Sequence, residues 1–338
     1  MPRRAEGLTH RPLPAEKRNV HPGFPRFVAR RAGAAAILVL VVASSVLVLA
    51  HMAPPADAFG TDPRVLAAER HRLGLDQPLP QQYVAWLAHA VRLDLGESLH
   101  FHRPVTTLIR ERAGRTALLG VTALLIATAL GIPAGIVTGS RRGGVLASAT
   151  KGASVLVLSA PPLIMSLVLL LLAARTGWLP AGGVPPATAG AGWAAGVAAT
   201  LRYLALPALA LGLPVAATIE RLQSAAIRTA LEHPSLAAAR ARGVPARLIV
   251  WRHALRLSLG PVLAVYGIII GSVLSGSFAV EVVLSWSGLG QLMYLALQAR
   301  DLYLAAGCAA AGAVCLAAGI FVTDVAAAVL DPRIEAVS

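Results

Sequence analysis

Lysine is nearly missing from this chain. Only Lys17 and Lys151 occur, and neither closes a Gly-rich loop that runs into Ser or Thr, so the phosphate cradle of a nucleotide-hydrolysing domain is excluded. Charge of every kind is scarce: 14% of residues are charged against 56% hydrophobic, and the mean hydropathy is +0.68. A soluble protein of 338 residues would need far more Lys, Glu and Asp to cover its surface. The composition is that of a chain held mostly in lipid. Cysteine is limited to Cys308 and Cys315, both inside one apolar run, and these read as small buried residues. The histidines are scattered and none forms His-Glu-x-x-His. His100 and His102 flank Phe101; they read as part of a plain surface loop, and a metal there would need a third ligand. No catalytic constellation, cofactor site or metal site is expected on this chain.

Six segments are long and apolar enough to cross about 30 Å of hydrocarbon. They lie at Ala32 to Ala50, Thr116 to Thr138, Val155 to Ala174, Tyr203 to Ile219, Leu259 to Val280 and Leu302 to Val329. The first follows a basic, Pro-rich stretch without a small-x-small cleavage site, and reads as an anchor. Lys and Arg total 30 against 16 acids, a balance that would suggest nucleic acid if the arginines formed a stripe on a soluble domain. They collect instead between the apolar runs, where topogenic charge belongs, so no nucleic-acid partner is expected. Arg3, Arg4, Arg11, Lys17, Arg18, Arg26, Arg30 and Arg31 precede the first span; Arg141, Arg142 and Lys151 follow the second. Arg221, Arg228, Arg240, Arg242, Arg247, Arg252 and Arg256 fall between the fourth and fifth. Putting these three regions on the cytoplasmic side satisfies the positive-inside rule with both termini inside.

The expected division is a disordered cytoplasmic tail over 1–29, a first transmembrane helix over 30–51, an external segment over 52–112, a transmembrane core over 113–329, and a cytoplasmic tail over 330–338. In the external segment, Glu69 to Leu73 and Gln81 to Leu95 carry apolar residues at helical spacing (Tyr83, Trp86, Leu87, Val91, Leu95), joined by the stiff turn Asp76-Gln77-Pro78-Leu79-Pro80. Trp86 suits a helix at headgroup level or over the mouth of a bundle.

Polar residues beside or inside spans carry more information, because a charge in hydrocarbon is expensive and faces protein or water. Glu281 and Asp324 each admit two readings, pairing or helix capping on one hand and lining a pathway on the other. Asp301 stands where a helix N-cap belongs. Gly267, Gly271 and Gly276, with neighbouring serines, give the fifth span a small-residue surface suited to close helix packing. Pro133, Pro161, Pro162, Pro207 and Pro214 mark bends or span ends. The interval from about 221 to 256 is strongly helix-forming through Leu236-Ala237-Ala238-Ala239-Arg240-Ala241-Arg242, breaks at Gly243-Val244-Pro245, and resumes from Arg247 to Arg256. That describes a helix, a Gly turn and a second helix just below the membrane: either a docking surface for another protein or a crossover lying on anionic lipid.

This interval resembles the cytoplasmic coupling loop of ABC-transporter permeases, in particular the first membrane subunit of the dipeptide, oligopeptide and nickel uptake group. The resemblance rests on Ala237-Ala238-Ala239 with Gly243, on Ala239-Arg240-Ala241-Arg242-Gly243, and on Arg252-His253-Ala254-Leu255-Arg256 with Pro261. Further blocks agree in order: Leu73-Gly74-Leu75-Asp76-Gln77-Pro78, Asp94-Leu95-Gly96-Glu97-Ser98, Gly131-Ile132-Pro133-Ala134-Gly135, Gly177-Trp178-Leu179-Pro180, Gly288-Leu289-Gly290, Ala299-Arg300-Asp301, Asp324 and Asp331-Pro332-Arg333-Ile334. The chain departs from the group at Ala237, where many relatives place an acid, and at Pro234, Ser235, Ser224, Leu257, Leu284 and Ser287.

The resemblance implies an all-α membrane protein of the type I ABC importer permease fold, with six transmembrane helices and a cytoplasmic coupling helix, in the bacterial inner membrane. It implies a second homologous permease subunit, two cytoplasmic ATPase subunits that carry the ATP and Mg, an extracytoplasmic solute-binding protein, and contact with membrane lipid. Leu236, Ala237, Ala238, Ala239, Arg240, Arg242, Gly243 and His253 would couple to the ATPase. Glu281, Trp286, Gly288 and Asp301 are candidates for the pathway or its gate, and Gly267, Gly271, Gly276 and Asp324 for helix packing. Dipeptides or oligopeptides are the expected cargo, with nickel, glutathione or another small solute as the alternative. A non-transporting membrane scaffold is the competing class.

Overall fold

The computed structural model describes residues 24–52, 77–92, 94–140, 144–185 and 192–330. Residues 1–23 of the expected tail over 1–29, the helix at Glu69 to Leu73, Arg141, Arg142 and the C-terminal motif beyond Leu330 lie outside the described residues, as does the Trp86 side chain, whereas residues 24–29, expected as tail, already belong to the first helix. Helices follow one another as α1 (Phe24–Met52), α2 (Leu79–Val91), α3 (Val105–Ser140), α4 (Val145–Leu158), α5 (Pro162–Thr176), α6 (Trp193–Leu231) and α7 (Pro234–Ala241). A short turn, Ala246–Leu248, and a π-wound segment, Ile249–Ala254, lead into α8 (Leu255–Leu263), α9 (Tyr266–Val283), α10 (Leu289–Gln298) and α11 (Leu302–Leu330). Among the described residues the only β pairing is an isolated bridge between Glu97 and Pro104.

Four helices, α3, α6, α9 and residues Tyr303–Val325 of α11, are long and apolar enough to span a bilayer, and α1 carries the first apolar run within its 29 residues. The third expected span, Val155 to Ala174, is not continuous. It is broken at Ser159-Ala160-Pro161 into α4 and α5, which meet at 105°. Pro161 takes an extended ψ of 153° and Pro162 opens α5, so neither can donate back into the preceding turn. The fifth expected span also divides, at Ala264-Val265 between α8 and α9. The interval from 221 begins as the end of α6, whose 39 residues run as helix to Leu231 with Pro207 and Pro214 inside it and which ends ahead of His233-Pro234.

The centre of the molecule is the contact of α3 with α6. On α3, Gly131, Gly135 and Gly139 recur every fourth residue and press on the α6 backbone. A Cβ at these positions would stand 2.7 Å from the Ala216 carbonyl oxygen, 2.7 Å from that of Glu220 and 2.5 Å from that of Ser224, respectively. Gly212 makes the reciprocal approach to the Ala123 carbonyl at 2.9 Å. Two long helices that close must touch through glycine, since dispersion between backbones replaces the hydrophobic drive that lipid cannot supply. Around this seam Leu119, Leu204, Leu211, Ile219, Val273, Val280 and Trp286 form the main core. α1 lies against α11, and Ser44 hydrogen-bonds Tyr83 of α2 at 2.8 Å. Tyr83 and Leu87 pack on Ala306, which seats α2 on α11.

The bundle therefore has two distinct ends. One gathers the start of α3, the α9–α10 turn and the start of α11. The other gathers the ends of α3 and α6, α7, α8 and the Arg31–Asp324 pair.

Candidate functional site

At the second end α7 is built to stay helical while standing clear of the bundle. Its first residue is Pro234, whose missing N–H costs nothing there, and the preceding His233 caps it by accepting the Ser235 N–H on Nδ1 at 3.3 Å. It ends in a Schellman turn: Gly243 N–H donates to Arg240 O at 2.9 Å and Val244 N–H to Ala239 O at 3.2 Å. Gly243 sits at φ 77°, in the left-handed region where a side chain is strained although the space around it is open.

The two faces of α7 differ. Leu236 (2% exposed) and Ala239 (4%) point inward to a small core with Ile136, Ile227, Ala230, Ile249 and Ala254. Ala237, Ala238, Arg240, Arg242 and Gly243 are exposed, as is His253 in the π-wound segment. Leu248 and Trp251 nearby also show large apolar area. Arg240 turns back, and its guanidinium donates to the Leu231 carbonyl at 2.9 Å, at the C-terminal end of α6 where a cation suits the helix dipole. The outward surface of α7 thus combines the small side chains of Ala237 and Ala238 with Arg240 and Arg242, on a helix whose inner face shares a core with α3 and α6.

At the first end, Glu281, Trp286 and Gly288 meet in one buried node. The Glu281 carboxylate is 0% exposed. It accepts from Thr116 Oγ1 at 2.7 Å, from Gly290 N–H at 2.7 Å and from Gln291 N–H at 3.3 Å. Thr116 Oγ1 in turn accepts the Leu289 N–H at 2.7 Å, so carboxylate and hydroxyl together cap the N-terminus of α10. Trp286 lies inside the main core at 2% exposure and donates Nε1–H to Arg115 O at 3.2 Å. Arg115 donates to Ser287 Oγ at 2.6 Å. A Cβ on Gly288 would collide with Thr116 Oγ1 and Glu281, so the chain can close over the carboxylate only with glycine here. The loop after α5 joins the node through the Gly183 N–H, which bonds Leu284 O at 2.8 Å.

Asp301 stands apart from that node, beyond the other end of α10. It is 0% exposed and caps α11 by accepting Leu304 N–H on Oδ1 at 3.1 Å. Its Oδ2 takes the Ser98 hydroxyl at 2.5 Å and the His100 N–H at 3.2 Å. One acid thereby fixes the loop ahead of α3 to the start of α11. α10, ten residues and about 15 Å long, hangs between two buried carboxylates. The sequence offered its signal in Leu289, Leu292 and Ala296, all buried at helical spacing. Thr116, Arg115, Ser98 and the buried Thr138–Glu220 and Gln223–Ser258 pairs are site-forming residues that sequence reasoning passed over, since each partner lies far away along the chain.

Among the packing candidates, a Cβ added at Gly276 would stand 2.9 Å from Leu211 Cδ1, whereas one at Gly267 or Gly271 would make only ordinary contacts with α11, the nearest at 3.8 and 3.7 Å. Asp324 faces Arg31 Nε at 3.0 Å. His100 and His102 belong to the loop held by Asp301, and among the described residues no three His, Cys, Asp or Glu side chains cluster as metal ligands.

The described chain is thus a set of apolar, span-length helices around a glycine seam, with a capped helix presenting small residues at one end. Two family comparisons cover nearly the whole described chain. The family described as binding-protein-dependent transport system inner membrane component matches residues 131–336, and its N-terminal companion matches residues 24–117. The chain belongs to this family, whose fold is that of type I importer permeases. It is 35% identical over 309 residues to a candidate peptide permease protein of Brucella suis, covering 88% of this chain and 95% of that one. It is 31% identical to the oligopeptide transport system permease protein OppB of Mycobacterium tuberculosis, covering 80% and 85%. To the glutathione transport system permease protein GsiC of Pectobacterium atrosepticum it is 35% identical, covering 71% and 74%. This chain is accordingly a permease subunit of that family.

Proposed function

We propose that this permease carries dipeptides or oligopeptides inward across the bacterial inner membrane, with both termini in the cytoplasm. It would work as one of two homologous permease subunits, fed by an extracytoplasmic solute-binding protein and driven by two ATPase subunits that bind ATP and Mg. The observation that supports the drive is α7: its exposed Ala237 and Ala238 leave room for a partner's groove, while Leu236 and Ala239 tie it to α3 and α6. When the ATPases close on ATP, the displaced α7 moves the ends of those helices together, and the bundle alternates between inward-open and outward-open states. Glu281, Trp286, Gly288 and Asp301 then act by holding α10, which is the gate candidate, rather than by touching cargo as free side chains.

Peptide cargo is supported by the names of the Brucella and Mycobacterium relatives. Glutathione, itself a small peptide, is supported by the Pectobacterium relative. The test is uptake into proteoliposomes holding the complete complex with its binding protein and ATP, using labelled di- and oligopeptides, glutathione and Ni²⁺ in separate arms. Saturable, ATP-dependent accumulation of peptide is the expected result. Accumulation of Ni²⁺ alone, or ATP-independent exchange of every solute, overturns the reading.

A further inference from the structure

On the side of the bundle away from the α3–α6 seam, α1, the α8–α9 break and α11 enclose a groove of about 510 Å³. Its walls are apolar for most of its length, with Gly267 and Gly271 on α9 facing Leu316 and Ile320 on α11. Ile268, at its edge, is 75% exposed, so the groove opens away from the protein. One end alone is polar, and there it carries both signs: Arg31 and Asp324, with side chains 46% and 21% exposed. Arg31 Nε lies 3.0 Å from Asp324 Oδ2, an oxygen that is itself buried, so the pair meets the groove through the partly exposed remainder of each side chain.

We infer that this groove is a binding site for one phosphatidylethanolamine molecule, with an acyl chain against Gly267 and Gly271 and the headgroup at the charged pair. The geometry matches an amphiphile: apolar along the groove, polar at one end, and at the depth where α1 passes from arginine into its apolar run. A headgroup carrying phosphate and ammonium places the phosphate by the Arg31 guanidinium and the ammonium by Asp324, the antiparallel match of two opposite pairs. An anionic lipid would satisfy Arg31 but face Asp324 with like charge. The bound lipid would bridge Arg31 of α1 to the α9 and α11 walls of the groove.

The test is native mass spectrometry of the whole transporter complex extracted in mild detergent from membranes containing phosphatidylethanolamine and phosphatidylglycerol. One phosphatidylethanolamine retained per copy of this chain is expected. Gly271→Leu, which fills the groove, should cut retention at least tenfold, and Asp324→Asn should reduce the preference for phosphatidylethanolamine over phosphatidylglycerol about fivefold. Size exclusion with the ATPases still bound shows that each variant has folded. If Gly271→Leu fails to assemble, the Asp324→Asn arm decides alone. Unchanged retention in these variants, preferential retention of phosphatidylglycerol by the natural chain, or high-yield crosslinking of Ile268→Cys to the second permease overturns the site.

Discussion

Glu281 occupies a position where every hydrogen bond it makes replaces one that water would have supplied. Thr116, Gly290 and Gln291 donate to its carboxylate, and each of those groups is itself out of water and without another acceptor in the node. Glu281→Ala strands the two N–H groups at the start of α10, each at a cost of about 1–3 kcal/mol. Glu281→Gln keeps a carbonyl oxygen to accept them and lets the Thr116 hydroxyl rotate to receive the new amide. The complex carrying Ala should therefore melt well below the complex carrying Gln, with Gln close to the natural protein, measured by intrinsic fluorescence on heating. Equal losses for the two would mean that the negative charge, and not the acceptor geometry, holds α10. Gly288→Ala forces a methyl onto Thr116 Oγ1 and the carboxylate and should match the Ala variant at Glu281 in severity.

At the scale of elements, the α3–α6 seam and the α7 turn each depend on glycine for a different reason. Gly135 allows approach: a methyl there would stand 2.6 Å from Gln223 Cβ, so Gly135→Ala must push the helices apart, at about 1–3 kcal/mol. Gly152→Ala on α4 meets nothing within 4 Å and should be neutral or stabilising, which makes it the control when both are compared for yield and melting temperature. Gly243 allows conformation: Gly243→Ala has space but not φ, and costs about 1–2 kcal/mol at the α7 cap. Fraying α7 should raise ATP hydrolysed per peptide imported while leaving assembly intact, read from paired phosphate-release and uptake assays. The sequence made α7 and its break legible because local chemistry decides them: Pro234 at the start, Gly243 at the end, alanines between. It made the spans legible as apolar lengths. It did not reveal that Val155 to Ala174 turns through 105°, because hydropathy is blind to direction even where Pro161-Pro162 marks the place. Nor did it single out Gly131, Gly135 and Gly139 over Gly267 and Gly271. A glycine repeat looks the same whether it presses on a backbone or meets side chains at ordinary distance, and the distinction depends on a partner helix far along the chain.

For the molecule as a whole, the proposed transport cycle requires a push on α7 to reach the other end of the bundle. Two routes leave α7: along the chain through Gly243 and the π-wound segment, and sideways through Leu236 into Ile136 of α3 and Ile227 of α6. The second is shorter, because α3 continues as helix from Ile136 back through Pro133 to Thr116, the residue that bonds Glu281 and caps α10. A left-handed glycine joint, by contrast, is where a chain bends. Leu236→Ala separates the routes. It removes the buried side chain that seats α7, at about 2–5 kcal/mol where the cavity opens, yet leaves the exposed alanine face and the Gly243 turn as they are. The ATPase subunits should still co-purify in natural ratio and hydrolyse ATP, while ATP-driven peptide uptake falls at least tenfold. Ala238→Glu does the converse, placing a charge on the docking face without touching the seat, and should strip the ATPases from the purified complex. If Leu236→Ala leaves uptake per ATP unchanged, the stroke travels through the backbone at Gly243, and α3 is a passive wall instead of the lever that connects docking helix to gate.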